Sequence, residues 1–161
     1  MSAEAARRRA QRYWLFKSEP SVFSFDALWR ATGRRTRWDG VRNFQVRNFM
    51  RDEMRVGDRA FFYHSSCPEP GIAGIVEISK LAYPDATQFD PKSEYYDPKS
   101  TREAPRWVNV DVKLVKKTRL VGVPELRATP GLEDMVTLRR GNRLSITPLT
   151  AAEWKIIEKL L

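Results

Sequence analysis

Apolar residues along the chain fall into runs of two kinds, and each change of period marks a new element. Tyr13-Trp14-Leu15-Phe16 is an aromatic-rich run that stops at Lys17-Ser18 before Glu19-Pro20, which predicts a strand over 13–18 closed by a turn. Phe25, Leu28 and Trp29 then recur at helical spacing behind Ser24, a capping residue, so a short helix is expected to about Arg30 with Trp29 in the core. A second helix is predicted from Asn43 to Met54. On it Val46, Phe49, Met50 and Met54 share one arc, while Arg47, Arg51 and Arg55 line the neighbouring arc.

Strand patterns dominate the rest. Val56-Gly57-Asp58 reads as a turn into Ala60 to Ser65, paired across a Pro- and Gly-bearing connection with Ile72 to Ile78. From Trp107 to Lys117 the residues alternate: Val108, Val110, Val112 and Leu114 point one way, and Trp107, Asn109, Asp111 and Lys113 the other, which places an indole on the polar face. Leu144-Ser145-Ile146 is a last strand, and Thr150 with Glu153 forms a capping box opening a helix through Leu160. Strands separated by short helices, without regular βαβ alternation, predict a small α+β barrel. Between Pro84 and Arg106 lies a polar excursion with DPKS twice, at 90–93 and 97–100, around Tyr95 and Tyr96. Asp-Pro pairs favour turns and the tyrosines argue against plain disorder, so an ordered flap is expected there.

Composition narrows the partners. A chain of 161 residues suits one core, and no apolar run approaches the roughly 18 residues of a membrane span. With 29 Lys and Arg against 20 Asp and Glu the net charge is +9, which favours a polyanionic partner. Arg7, Arg8, Arg9 and Arg12 against Glu4 give residues 1–12 the look of a disordered basic arm, but the remainder is basic in its own right. Cys67 and His64 stand alone in their types, which excludes an intrachain disulfide and the usual zinc sites and points to a reducing compartment.

Signatures of catalysis are missing: the sequence has no G-x-G-x-x-G, Walker loop, HExxH or G-x-S-x-G. An enzyme would have to use His64 with Ser65 or Cys67. On a strand His64 faces away from Tyr63 and Ser65, and a hydrogen-bonded or pocket-wall histidine is the simpler reading. The stretch WDGVRNFQVRNF offers more. Trp38 precedes Asp39-Gly40 outside any regular element, so its ring is free to wall a cavity, and the glycine permits close backbone approach. Asp39, Asn43, Gln45 and Asn48 supply amide and carboxylate groups, Arg42 and Arg47 guanidinium groups, and a helix N-terminus favours anions. That set suits a nucleotide; the alternative is a core Trp with a capping Asp and a solvated arginine stripe.

YWLFKSEP, WDGVRNFQVRNFM, VGDRAFFYHSSC, GIAGIVEI, AYPD with DPKSEYYDPKS, PRWVNVDV and LRRGNRLSITPLT together resemble the EVE domain family over residues 13–161. The resemblance implies a PUA-like α+β fold, a curved β-barrel with short helices, related to YTH domains that read methylated adenine in RNA and to RNA-binding PUA domains. It further implies a non-catalytic, cofactor-free reader of nucleic acid, DNA above RNA, that seats an extruded 5-substituted cytosine. A general RNA-binding module is the alternative. Carried over by motif, the base pocket comprises Lys17, Ser18, Trp38, Asp39, Gly40, Val41, Asn43, Gln45 and Asn48, with Tyr63, His64 and Ser65 on a facing strand. Phosphate contacts fall to Arg42, Arg47, Arg51, Lys92 and Lys99, and the setting implied is bacterial cytoplasm with access to the nucleoid. The additional aromatic of the YTH cage is missing near Val112, which argues against methyl-adenine.

Overall fold

A computed structural model describes residues 10–161. Its core is a six-stranded mixed sheet in the order β2-β5-β4-β3-β1-β6. The strands are β1 (Tyr13–Ser18), β2 (Arg35–Trp38), β3 (Arg59–His64), β4 (Gly71–Pro84), β5 (Val108–Gly122) and β6 (Ile146–Leu149). The helices are α1 (Phe25–Arg30), α2 (Phe44–Asn48), α3 (Val123–Ala128) and α4 (Ala151–Glu158). Only β1 and β3 pair in parallel; the other ladders are antiparallel. Four register shifts along the long β4–β5 pair add twist and bend the ribbon.

Central strands buried on both faces should read as unbroken apolar runs, and these do. Trp14 and Phe16 of β1 and Ala60 and Phe62 of β3 enter one hydrophobic cluster, covered by Phe25 and Leu28 of α1, by Val46 of α2 and by Met50 just after it. Leu15, Phe61 and Tyr63 enter a second cluster on the opposite face, beneath Leu126 of α3 and Trp154 and Ile157 of α4. The connection between the parallel strands therefore carries α1, β2 and α2 across the first face, and it is this crossover that builds the site.

Local chemistry explains most boundaries. Ser24 caps α1 through the Ala27 N–H at 3.0 Å, Asn43 caps α2 through the Val46 N–H at 3.0 Å, and Thr150 and Glu153 close the expected capping box at α4. Several expectations are corrected. Helix α2 does not run regularly to Met54: it passes into a π-turn over Phe49–Glu53, which keeps Met50 and Met54 buried but drops Arg55 from the arginine stripe. Trp29 is 40% exposed, because Phe25 and Leu28 already fill the buried face of α1. Trp107 is not on a polar strand face; it precedes β5, is buried, and donates its indole N–H to Asp97 at 2.7 Å. The last strand begins at Ile146 and ends at Leu149, with Pro148 tolerated because β6 is an edge.

Of the basic arm expected over residues 1–12, the first nine lie outside the described residues. Gln11 and Arg12 belong to the fold: Gln11 donates to the Gly57 carbonyl at 2.6 Å and the Arg12 N–H to Asp58 at 3.1 Å.

Candidate functional site

The ends of β1 at Ser18 and of β2 at Trp38 border a cavity of about 630 Å³, large enough for a nucleobase. Lys17, Ser18, Trp38, Asp39, Gly40 and Val41 of the expected pocket all line it. Trp38 is not off a regular element, as its Asp-Gly neighbours suggest, but the last residue of β2, opposite Val110. Its half-buried ring meets Phe16 edge-on at 5.1 Å and Phe62 at 5.6 Å, so two core aromatics fix the plane that borders the cavity.

Polar groups surround that ring. Lys17 is half-buried, which pushes its ammonium below the usual lysine range, and no carboxylate pairs with it among the described residues. Burial, then the nearby Asp85 carboxylate, raises Asp39, against a weaker pull from Arg37 at 3.8 Å. The Ser18 hydroxyl is already engaged, donating to the Phe23 carbonyl at 2.5 Å.

The far wall is the flap. Its paired DPKS turns have a common cause: Asp90 accepts from the Lys92 N–H and Asp97 from the Lys99 N–H, each at 2.9 Å, as Asx-turns do. Tyr95, between them, lines the cavity with Glu94. Burial, followed by its hydrogen bond to Glu94, raises the Tyr95 phenol. A buried clamp holds this flap to the end of β2. The Asp85 carboxylate accepts from the Gly40 N–H at 2.9 Å, the Thr87 N–H at 2.8 Å and Arg42 at 3.1 Å. Burial alone would raise Asp85, but the bonds from Thr87, Gly40 and Arg42 outweigh it and hold the carboxyl below its ordinary range. Gly40 has φ +77°, and a Cβ there would stand 2.8 Å from the Tyr95 ring, so only glycine lets the tyrosine close on the corner.

Arg42 lines the cavity, yet it is not a free phosphate ligand. Its N–H groups reach Tyr95 O (3.0 and 2.7 Å), Val41 O (2.7 Å), Thr87 Oγ1 (3.0 Å) and Asp85 (3.1 Å), which occupies all five donors. Asn43 is a helix cap rather than a pocket group, Gln45 is exposed beyond the cavity, and the Asn48 Oδ1 receives Arg47 at 2.8 Å and Arg51 at 3.3 Å. Arg47 also donates to the Arg106 carbonyl and lies 4.7 Å from the Phe44 ring, while Arg51 pairs with Asp52. Lys92 and Lys99 are exposed on the flap.

The facing-strand residues do not enter the cavity. Tyr63 belongs to the cluster on the other side of the sheet, because strand neighbours alternate. His64 accepts the Phe25 N–H at 3.1 Å through Nε2 and borders a separate cavity of about 260 Å³ with Asp26 and Lys117; Ser65 donates its N–H to the Ser18 carbonyl. Burial lowers His64 below the usual imidazole range, partly opposed by Asp26, so the neutral ring is the acceptor. Thr36, Arg37, Phe23, Ser145 and Tyr95 line the cavity without having been singled out. Only Tyr95 carried a signal, an aromatic in an otherwise polar loop.

Comparison with known proteins adds a family to this geometry. A model of the EVE domain matches residues 12–160. Human thymocyte nuclear protein 1 is 45% identical over 92% of the chain and 73% of its own length. A crystal structure of a Pseudomonas syringae protein, 50% identical, superposes with a TM-score of 0.86 over 92% of this chain and 98% of that one. Human THYN1 in complex with DNA containing 5-methylcytosine, 45% identical, gives a TM-score of 0.86 over 93% of this chain and 97% of that one. Relatives thus come from a bacterium and from human, so kinship does not assign a domain of life. No helix among the described residues is long and apolar enough to cross a membrane.

Proposed function

The chain belongs to the EVE domain family, and on that premise we propose that it is a non-catalytic reader which seats an extruded, 5-substituted cytosine of DNA against Trp38. One observation carries the proposal: an indole locked edge-on by Phe16 and Phe62 borders a polar-lined cavity of nucleobase size. The likeness to THYN1, solved with DNA containing 5-methylcytosine, supports the choice of base and of nucleic acid.

The lining suits cytosine chemically. Its exocyclic amine donates and its N3 and O2 accept, so an ionised Asp39 and the Lys17 ammonium offer the complementary pair. Thymine presents an acceptor where the amine would be and leaves the carboxylate unmatched. Extrusion costs a few kcal/mol, and stacking on an aromatic returns about 1–3 kcal/mol per base. A buried methyl adds only about 0.8 kcal/mol, so discrimination by a methyl alone is modest. His64 supports no catalytic alternative of comparable strength, since its Nε2 is directed at the Phe25 N–H rather than at Ser65 or Cys67.

Titration of matched oligonucleotides, with and without 5-methylcytosine, into wild type and Trp38→Ala tests the reading. The variant is expected to fold, to lose about tenfold or more in affinity for the modified strand, and to lose its preference. Retained preference in a folded Trp38→Ala protein would remove the stacking wall, and equal preference for modified RNA would move the assignment to the RNA-binding alternative.

A further inference from the structure

The corner that leads into β2 breaks several local rules at once. Trp29 is 40% exposed, with the Arg34 guanidinium 3.8 Å above its ring. Arg34 itself has φ +51°, a left-handed conformation that L residues with long side chains adopt only at some cost. It follows Gly33 (φ +64°, ψ +10°), the left-handed position of a turn closed by the Arg34 N–H on Ala31 O at 2.9 Å. One residue further, Arg35 stands directly opposite Lys113 in the β2–β5 ladder, a like-charge pair that weakens a sheet. Lys113 has Glu77 at 3.2 Å, but Arg35 has no carboxylate among the described residues.

The stack on Trp29 and the turn hydrogen bond are favourable, but the left-handed Arg34 and the like-charge pair are not. Together they accompany Arg30, Arg34, Arg35 and Arg37 along an exposed stretch whose far end, Arg37-Trp38, walls the cavity. Arg35 and Arg37 leave the same face of the strand about 7 Å apart, comparable with the separation of successive phosphates along a strand. β2 is also an edge of the sheet, so no strand covers the side away from β5. Local rules are broken where something else supplies the return.

We propose that this corner, Trp29 to Arg37, is the phosphate-binding ridge of the protein: it grips the phosphodiester backbone flanking the seated base, with Arg34 held outward by its stack on Trp29 and Arg35 and Arg37 continuing the line toward the cavity. The ridge rests on the reader assignment for the position of the base, but its binding energy is electrostatic and independent of sequence. It replaces Arg42, whose donors are all used within the fold, as the principal contact beside the pocket.

The double variant Arg34→Asn/Arg35→Thr tests it, since neither residue lines the cavity. Asparagine tolerates the left-handed φ and threonine suits a strand, so thermal stability should hold or rise while affinity falls. On duplex DNA the slope of log K against log salt should flatten by about 1.8, with methylated and plain DNA weakened equally. Lys155→Gln, a single charge removed on α4 at the opposite face, should leave the slope within about half a unit of wild type. An unchanged slope in a stable double variant, or a loss of stability that accounts for the loss of binding, would overturn the ridge. If the slope flattens but wild type never distinguishes methylated DNA, the ridge stands and the reader assignment fails; if preference persists with an unaltered slope, the ridge alone fails.

Discussion

Val41-Arg42-Asn43-Phe44 and Val46-Arg47-Asn48-Phe49 carry the same four side chains five residues apart, yet only the first copy builds the cavity wall. Both valines are buried. Arg42 is a strut with five occupied donors and 22% of its side chain exposed, whereas Arg47 lies along α2 and shares Asn48 with Arg51. Asn43 caps the helix; Asn48 sits within it as an acceptor. Phe44 is half exposed and stacks on Trp107 at 4.6 Å, while Phe49 packs toward Trp14 at 5.5 Å. Val41 to Asn43 precede α2, with Asn43 extended (φ −111°, ψ 127°), while Val46 to Asn48 lie within the helix, so both valines reach the same cluster but the polar residues that follow them leave differently shaped backbone. The first also straddles a helix start, where backbone donors are unpaired and the chain can meet the flap.

The sharpest way to break this comparison is Arg42→Ala. It strands the buried Asp85 carboxylate and frees the flap, so urea unfolding should show a loss of about 3 kcal/mol or more, against about 1 kcal/mol or less for Arg47→Ala. Similar losses at both positions would mean that the clamp does not hold the flap. Next, Gly40→Ala forces a methyl toward Tyr95 and strains a positive φ; a cost of about 1–3 kcal/mol, with weaker oligonucleotide binding, is expected. Asn43→Ala should cost about 1 kcal/mol as a lost cap, while Asn48→Ala stays within about 0.5 kcal/mol. Equal effects would place both asparagines in one role.

The smallest expected effect is a pH dependence at the cap of the other crossover helix. His64 accepts from α1 as a neutral ring, and its pKa lies below the unfolded value of about 6.5. Between those two values the unfolded chain binds the extra proton. The contribution is therefore present above about pH 6.5 and declines as pH falls toward the lowered native pKa. His64→Gln, which keeps an acceptor without titrating, should flatten stability as pH falls below about 6.5; an unchanged slope would show that the imidazole does not titrate through that bond.

Elements with local causes were legible before any fold was known. Capping at Ser24 and Thr150, the continuous apolar strands and the turns of the flap depend on neighbours within about four residues, whereas Asn43, expected in the pocket, proved to be a cap. Part of the cavity wall, Lys17-Ser18 and Trp38 to Val41, was legible because motif and turn chemistry coincide there. Tyr63 and His64 were misplaced for a specific reason: strand parity says that they point opposite ways, but not which face holds the cavity.

By itself, then, the sequence determined the local elements, the basic excess and an indole beside a glycine corner, since these follow from side-chain type and short spacing. Tertiary structure alone decided which arginine is a strut and which is free, and that Tyr95, more than fifty residues from Trp38, closes the same cavity. Those choices rest on the Asp85–Arg42 clamp and on strand pairing, and long-range partners leave no period in the chain that they join.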